Sequence, residues 1–222
     1  MKYRYLLGLC LFTFGVSAQS TKDYIDVQAW YGASLKLDLA KKWAISAQYR
    51  LRMTEDASYY KGSYLFGQVD KRISNTFELT TNYRLAMVDK GTFHRYAFGV
   101  EARKELRRAS FSFRPMIQYQ KQYFSGDDEQ FDSDTYLRTR LTGKYKFTRK
   151  LDGYVYAEPF FKMDANPNLI WWQNSAGLKY ELTKGFKVNL YYLWQPDFSH
   201  KKHPYTNHII GLDLEFTIKP RK

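Results

Sequence analysis

Charged side chains that could bind ions or transfer protons recur at every second position along much of the 222-residue sequence. Residues two apart point the same way in an extended strand, so such groups would share one face. We predict a charged face made of Arg and carboxylate side chains, in which both ion pairing and anion binding are possible. Its members are Arg50, Arg52, Asp70, Glu78, Arg84, Arg95, Glu101, Arg103, Arg114, Arg138, Arg140, Glu158, Glu181, Asp213 and Glu215.

The charged face has two interpretations. Its members could fill a narrow interior with ion pairs and hydrogen bonds, because a buried charge is costly when unpaired and Arg offers five donors. They could instead line a narrow polar pore, where the excess of Arg favours anions. Under the first interpretation, Glu78→Ala or Glu158→Ala lowers thermal stability more than it changes any conductance.

The strands that must position these groups are clearest in residues 169–198. Ile170, Trp172 and Asn174 begin one face of the first arm, and a short turn at Thr183-Lys184-Gly185 leads into a second arm that alternates in the same way. A period of two in both arms predicts a long antiparallel hairpin. The arms are about twice the usual ~5–6 residues and close to the ~9–11 that a tilted strand needs to cross a bilayer.

Alternation continues through the rest of the chain, and we count eleven strands. Pro159 lies inside one of them and predicts a bulge, because proline cannot donate to a strand ladder. The strands are predicted at residues 26–38, 43–53, 59–72, 77–87, 94–103, 111–120, 137–147, 154–163, 169–182, 186–195 and 210–218.

The apolar face carries large aromatic side chains near the strand ends, as expected of interfacial girdles. Packing so many rings inside a small barrel would overfill it. The sequence therefore predicts an all-β, antiparallel up-and-down transmembrane barrel with apolar residues outward. The alternative is a secreted soluble lipid-binding β-barrel with the apolar face inside. The predicted girdle residues are Trp43, Tyr145, Phe147, Trp172, Tyr180, Phe186 and Trp194.

The first 18 residues have the pattern of a secretory signal. Lys2 and Arg4 precede a short apolar run, and small residues precede a cleavage site after Ala18. We therefore expect a signal peptide at 1–18 and a barrel at 19–222. Removing the two basic residues takes the formal charge from +13 to +11. Cys10 is the only cysteine, so the mature chain would lack thiol chemistry. The mean hydropathy of -0.58 excludes a bundle of membrane helices.

The turns differ at the two ends of the predicted barrel. Short basic turns fit the periplasmic side, and longer loops such as residues 55–58 and 125–134 fit the outer side. Eleven strands conflict with the even number usual in bacterial barrels, and the first strand would run away from the expected position of the N-terminus. Either a strand is merged or split, or the N-terminal stretch lies in the lumen. We predict ten to twelve strands.

After the signal peptide, four features of the sequence form a recognisable set: a first strand with Trp30, the Lys42-Trp43 turn, Tyr49–Arg52 and Gly177–Tyr180. With these features the chain resembles the DUF2490 family of uncharacterised Gram-negative outer-membrane barrels. This resemblance implies localisation in the cell outer membrane and partners among membrane lipids and lipopolysaccharide. The last strand, with Gly211, is similar to the segment read by the barrel-assembly machinery during insertion. The resemblance implies no reaction, and we expect a monomer.

Catalytic and metal sites are weakly supported. Ser199, His200 and His203 could serve a lipid A or phospholipid hydrolase in an outer loop, but adjacent strand residues point apart, and known lipid-hydrolase motifs are absent. The two His lack a clear third metal ligand. The acidic loop lacks the spacing of a calcium loop. We predict a structural barrel or narrow polar pore without catalytic residues, metal, cofactor or nucleic acid. The acidic loop contains Asp127, Asp128, Glu129, Asp132 and Asp134.

Overall fold

The computed structural model describes residues 24–89, 91–123, 131–164, 166–199 and 205–219, with the side chains of residues 41, 131 and 132 left aside. The predicted signal peptide, His200, His203 and most of the acidic loop lie outside these ranges. The described residues form eleven strands, and a 3-10 turn, Ala40–Lys42, joins the first two. The strands are β1 (Tyr24–Asp38), β2 (Trp43–Thr54), β3 (Tyr59–Arg72), β4 (Phe77–Val88), β5 (Gly91–Glu105), β6 (Ala109–Tyr123), β7 (Phe131–Lys146), β8 (Leu151–Lys162), β9 (Asn168–Thr183), β10 (Phe186–Asp197) and β11 (Tyr205–Ile218).

The eleven strands close into one barrel in which sequence neighbours pair antiparallel. Closure is made by β1 and β11, which pair in parallel from Tyr24↔Tyr205 to Leu37↔Ile218. An odd number of up-and-down strands can close only in this way. The count of eleven was therefore correct, with β1 a strand of the wall, and the predicted antiparallel pairing fails at this one seam.

Alternate residues point to opposite sides of the wall, and the apolar set faces outward as predicted. Ile117 is 61% exposed on the outer surface. On the inner side, Glu158 is 0% exposed and Arg138 is buried beside it. Among the described residues, no helix is long and apolar enough to span a membrane.

Most strand boundaries differ from the prediction by one to three residues, and two of them differ by more. β7 begins at Phe131 and β11 at Tyr205, whereas the sequence placed them at 137 and 210. These extensions carry polar residues that break the apolar alternation, yet their backbones still pair, as in Asp134↔Gln120. β8 ends at Lys162, so the predicted strand position of Met163 is wrong. The bulge predicted near Pro159 is present as a register shift at Phe160/Phe161.

The turns fix the ends of the wall. Gly185 has φ +84°, which accounts for glycine in the short turn between β9 and β10. Between β2 and β3, the backbone of Glu55, Asp56 and Ala57 has positive φ angles in the left-handed region. The loop that they form folds against β1. There the Ala57 amide donates to the Val27 carbonyl at 2.9 Å, and the Asp56 amide donates to Asp26 at 3.2 Å. The loop therefore stabilises the start of the parallel seam.

Two inward glycines make room for tyrosine rings that lie across the wall. Gly211 pairs directly with Tyr191, and Gly177 pairs with Tyr154. A Cβ atom at Gly211 would lie 2.0 Å from the Tyr191 ring, and one at Gly177 would lie 2.6 Å from the Tyr154 ring. The absence of side chains at these glycines therefore determines where the two rings stand in the lumen.

Gly211→Ala should destabilise the barrel, because the new methyl group must displace the Tyr191 ring. We expect the free energy of unfolding to fall by about 1–3 kcal/mol, the usual cost of overpacking. Thermal and urea unfolding of the purified barrel in detergent measures the change. The matched control is Gly67→Ala, whose added Cβ has no atom within 4 Å. Equal stability of the two variants would contradict this role of Gly211.

Candidate functional site: an arginine-rich lumen

All eleven strands contribute side chains to a cavity of about 610 Å³ inside the barrel. Its position follows from the alternation, because every second residue of each strand points inward. Ten of the fifteen charged residues predicted from the sequence line this cavity. They are Arg50, Arg52, Arg84, Arg95, Glu101, Arg114, Arg138, Arg140, Asp213 and Glu215.

The other five lie outside its lining. Asp70 is buried and accepts hydrogen bonds from Gln68 at 2.9 Å and Thr80 at 2.8 Å. Glu158 is buried in the wall behind the arginines that line the cavity. Arg103 binds the cavity-lining Glu101 at 2.5 Å. Glu78 and Glu181 lie near the short-turn end, 3.8 Å from Arg72 and 3.9 Å from Lys187 respectively. Glu78 and Glu181 therefore take part in looser ion pairs than the groups deeper in the barrel.

Glu158 is the centre of the tightest charge cluster in the described part of the lumen. Its two carboxylate oxygens accept from Arg138 at 3.0 Å and from Arg140 at 2.6 Å. Arg138 also donates to the amide oxygen of Gln118 at 2.9 Å. This network joins β6, β7 and β8, and it compensates the charge of a fully buried carboxylate.

A second ion pair crosses the parallel seam. Arg50 on β2 donates to Asp213 on β11 at 2.9 Å, although β1 lies between the two strands. Gly32 on β1 is paired with both residues, and a Cβ atom there would lie 2.1 Å from the Asp213 carboxylate. The missing side chain at Gly32 thus lets the two charged groups meet above β1.

The cavity-lining carboxylates are already matched by cations. Arg50 pairs with Asp213, Arg103 with Glu101, and Lys179 with Glu215 at 2.5 Å. Within the described residues, Arg52, Arg84, Arg95 and Arg114 therefore have no carboxylate within 4 Å. Their Nε atoms are buried and lack hydrogen-bond partners there. The lumen consequently carries a surplus of positive charge.

Aromatic rings and an amide group contact two of these arginines. The Arg52 guanidinium lies between two rings, 3.7 Å from the centroid of Trp30 and 3.9 Å from that of Tyr64. Arg84 donates to Gln120 at 3.1 Å. Such contacts position a guanidinium without neutralising it. The charge therefore remains available to an anion entering the lumen.

Aromatic and amide side chains also line the cavity, and the proposed site omitted them. Their inward direction was readable from the alternation, which places Trp30, Tyr156, Phe160 and Trp171 on the same face as the charged residues. Charge alone was the criterion for the site, so these rings were left out. The cavity-lining set also includes Gln48, Phe66, Gln68, Gln118, Gln120, Tyr154, Gln173, Tyr191 and Gln195.

The girdle residues lie on the outer wall toward its two ends. Trp43, Tyr145, Phe147 and Tyr180 are exposed near the short turns, and Trp172 and Trp194 are exposed in the half nearer the long loops. Phe186, also near the short turns, is half-buried because its ring stacks on Phe216, with 4.4 Å between centroids.

Other residues considered for chemistry have local partners. The Ser199 hydroxyl donates to Asp197 at 2.5 Å. Asp134 lies 2.5 Å from Lys162. The described histidines, His94 and His208, bond to tyrosine hydroxyls on the outer wall. Within the described ranges, no group of three or more His, Cys, Asp or Glu side chains could hold a metal ion.

Comparisons with known proteins agree with this architecture. The family model for a protein of unknown function (DUF2490) matches residues 27–206. Among solved structures, a NanC porin in a rhombohedral crystal form superposes with a TM-score of 0.52 at 11% identity, covering 81% of this chain and 90% of the porin chain. A search of curated proteins gave no match. The likeness to the porin shows the fold, an outer-membrane type of β-barrel.

Glu158→Ala should be strongly destabilising, because it leaves Arg138 and Arg140 without their carboxylate partner. Loss of one member of a buried ion pair costs about 3–5 kcal/mol, so we expect a fall of that order in the free energy of unfolding. Glu78→Ala is the control. Its partner Arg72 is 55% exposed and lies 3.8 Å away, so losing this looser interaction should cost no more than about 1 kcal/mol. Chemical unfolding in detergent compares the free energies of unfolding of the two variants. Similar losses of stability in both would contradict the assigned role of Glu158.

Proposed function

The chain belongs to the DUF2490 family of proteins of unknown function, and from this premise we propose that it is an outer-membrane barrel whose lumen forms a narrow, anion-selecting pore. The observation that carries the proposal is the set of four lumen arginines without carboxylate partners, Arg52, Arg84, Arg95 and Arg114. Rings of fixed positive charge in a confined polar space favour anions and repel cations.

The outer wall supports placement in a membrane. Large apolar side chains such as Ile117, Leu141 and Val155 are more than half exposed, which is costly in water. Aromatic residues lie toward both ends of the wall, as in interfacial girdles. In this proposal the wall contacts outer-membrane lipids and lipopolysaccharide, and the barrel-assembly machinery inserts the monomer after cleavage of residues 1–18.

Packing on one side of the lumen explains why the pore would be narrow. Trp30, Tyr191, Leu193 and Ile209 form a buried cluster against the wall of β1, β10 and β11. The arginines without carboxylate partners come from β2, β4, β5 and β6. Arg52 borders the cluster at Trp30, and the other three lie on strands farther from it. A solute would therefore pass between a packed apolar side and a cationic side, and small anions are the class that this geometry favours.

The pore proposal is tested by recording single channels in planar bilayers under a potassium chloride gradient. We expect conductance steps with a reversal potential that shows preference for chloride. Replacing Arg52, Arg84 and Arg95 together by Gln should lower the ratio of chloride to potassium permeability by at least about fivefold, since one unit charge at 4 Å contributes about 1 kcal/mol even at the dielectric constant of water. Arg72→Gln, at the exposed end of β3, should leave the ratio nearly unchanged.

Folded protein that gives no conductance steps would contradict the pore and favour the sealed, structural barrel. The alternative of a lipid-modifying enzyme has a separate readout. If the protein were such an enzyme, mass spectrometry of lipid A and phospholipids would show a difference in acylation between cells with and without the gene. The pore proposal expects identical lipid profiles.

A further inference from the structure

An apolar groove of about 710 Å³ runs across the outer wall from β6 to β11. Its floor is formed where side chains are missing or short, at Gly143, Gly153 and Ala176, and its lining is almost entirely apolar. A volume of this size lies within the ~300–1,000 Å³ typical of small-molecule sites. The flanking side chains include Phe111, Tyr145, Phe147, Val155, Leu178, Leu190, Tyr192 and Ile210.

One end of the groove meets two basic turns. Ala109 and Phe147 line this end, and they directly adjoin Arg108 and the Thr148-Arg149-Lys150 turn. The two turns are joined by a hydrogen bond from the Lys146 amide to the Arg108 carbonyl at 2.8 Å. The Thr148 hydroxyl accepts from the Lys150 and Leu151 amides at 3.2 and 3.0 Å, which fixes the shape of the second turn.

The charge at this end is strongly one-sided. Arg107, Arg108, Lys146, Arg149 and Lys150 are all exposed there. Among the described carboxylates, Asp152 follows the second turn, and the Glu181 amide donates to the Lys150 carbonyl. Asp152 and Glu181 lie 3.3 and 3.9 Å from Lys187, and Glu105 at the end of β5 is exposed. A basic cluster of this kind at a membrane surface attracts anionic headgroups.

We infer that this groove binds one glycerophospholipid with an anionic headgroup. One acyl chain lies over Gly143, Gly153 and Ala176, and the phosphate group lies against Arg108, Arg149 and Lys150. The inference rests on the membrane placement in the proposed function, and it adds a defined lipid site to that placement. The apolar groove alone would accept any acyl chain, so the basic turns provide the selectivity for an anionic lipid.

Native mass spectrometry of the purified barrel in nonionic detergent tests the site, with phosphatidylglycerol and phosphatidylcholine as probes. The barrel should retain one phosphatidylglycerol in preference to phosphatidylcholine. Gly143→Leu should fill the groove and abolish this retention. The fold should tolerate the change, because a Cβ atom there makes only ordinary contacts of 3.6–3.8 Å. Gly67→Leu is the matched control, on the outer face of β3 with open space around it.

A second pair of variants tests the contribution of the basic turns to lipid binding. Arg149→Gln with Lys150→Gln should weaken retention of phosphatidylglycerol by at least about tenfold, because each basic residue near an anionic lipid surface contributes about 1 kcal/mol. Lys42→Gln with Arg72→Gln removes two exposed charges from the same rim far from the groove, and it should leave retention unchanged.

Equal retention of the two lipids, or loss of retention that is the same in the groove variants and their controls, would overturn the lipid site. Failure of membrane placement is a separate result. It would appear as protein released from membranes by alkaline washing, whereas a barrel that stays with the membranes but lacks lipid selectivity contradicts only the groove.

Discussion

The structure depends on one constraint, which is that a closed wall of strands has only two sides. Because side chains alternate, each strand sends half of its residues outward and half into a shared, confined lumen. Closure also pairs the backbone of every strand on both edges, so no edge is left to solvent or lipid. Once the apolar half faces outward, the charged half of eleven strands must be accommodated together, and ion pairing, cation–aromatic contacts and hydrogen bonds follow from this confinement.

The odd strand number shapes how the lumen is organised. Parallel pairing of β1 with β11 brings Asp213, Gly32 and Arg50 side by side at the seam. Near the start of β1, Asp26 accepts a hydrogen bond from Thr54 on β2 at 2.6 Å, and Gln28 donates to Asn207 on β11 at 2.7 Å. These polar contacts tie β1 to its neighbours at the one place where the up-and-down pattern is broken. The matched carboxylates stabilise the wall, and the arginines without carboxylate partners supply the charge on which the proposed pore function depends.

Much of the wall was predictable from the sequence. The bounds of β3 follow from the polar loop before it and the turn after it, and the direction of the apolar face follows from a period of two. Gly185 marked the turn between β9 and β10. The starts of β7 and β11 were missed, because their first residues pair through the backbone without alternating in polarity. Which Arg meets which carboxylate also lay beyond the sequence, because partners such as Arg50 and Asp213 are 163 positions apart. Only the register of the closed barrel brings them together.

The central claim is that apolar side chains face lipid while the lumen stays shielded from it. Quenching of tryptophan fluorescence by phospholipids with brominated acyl chains tests this most directly, in vesicles containing the barrel. Trp194 is 41% exposed on the outer wall, whereas Trp30 is 5% exposed inside. The account predicts that Trp194→Phe removes part of the quenched emission and that Trp30→Phe leaves it intact. The account would be contradicted if Trp30→Phe removed the quenched emission and Trp194→Phe left it unchanged.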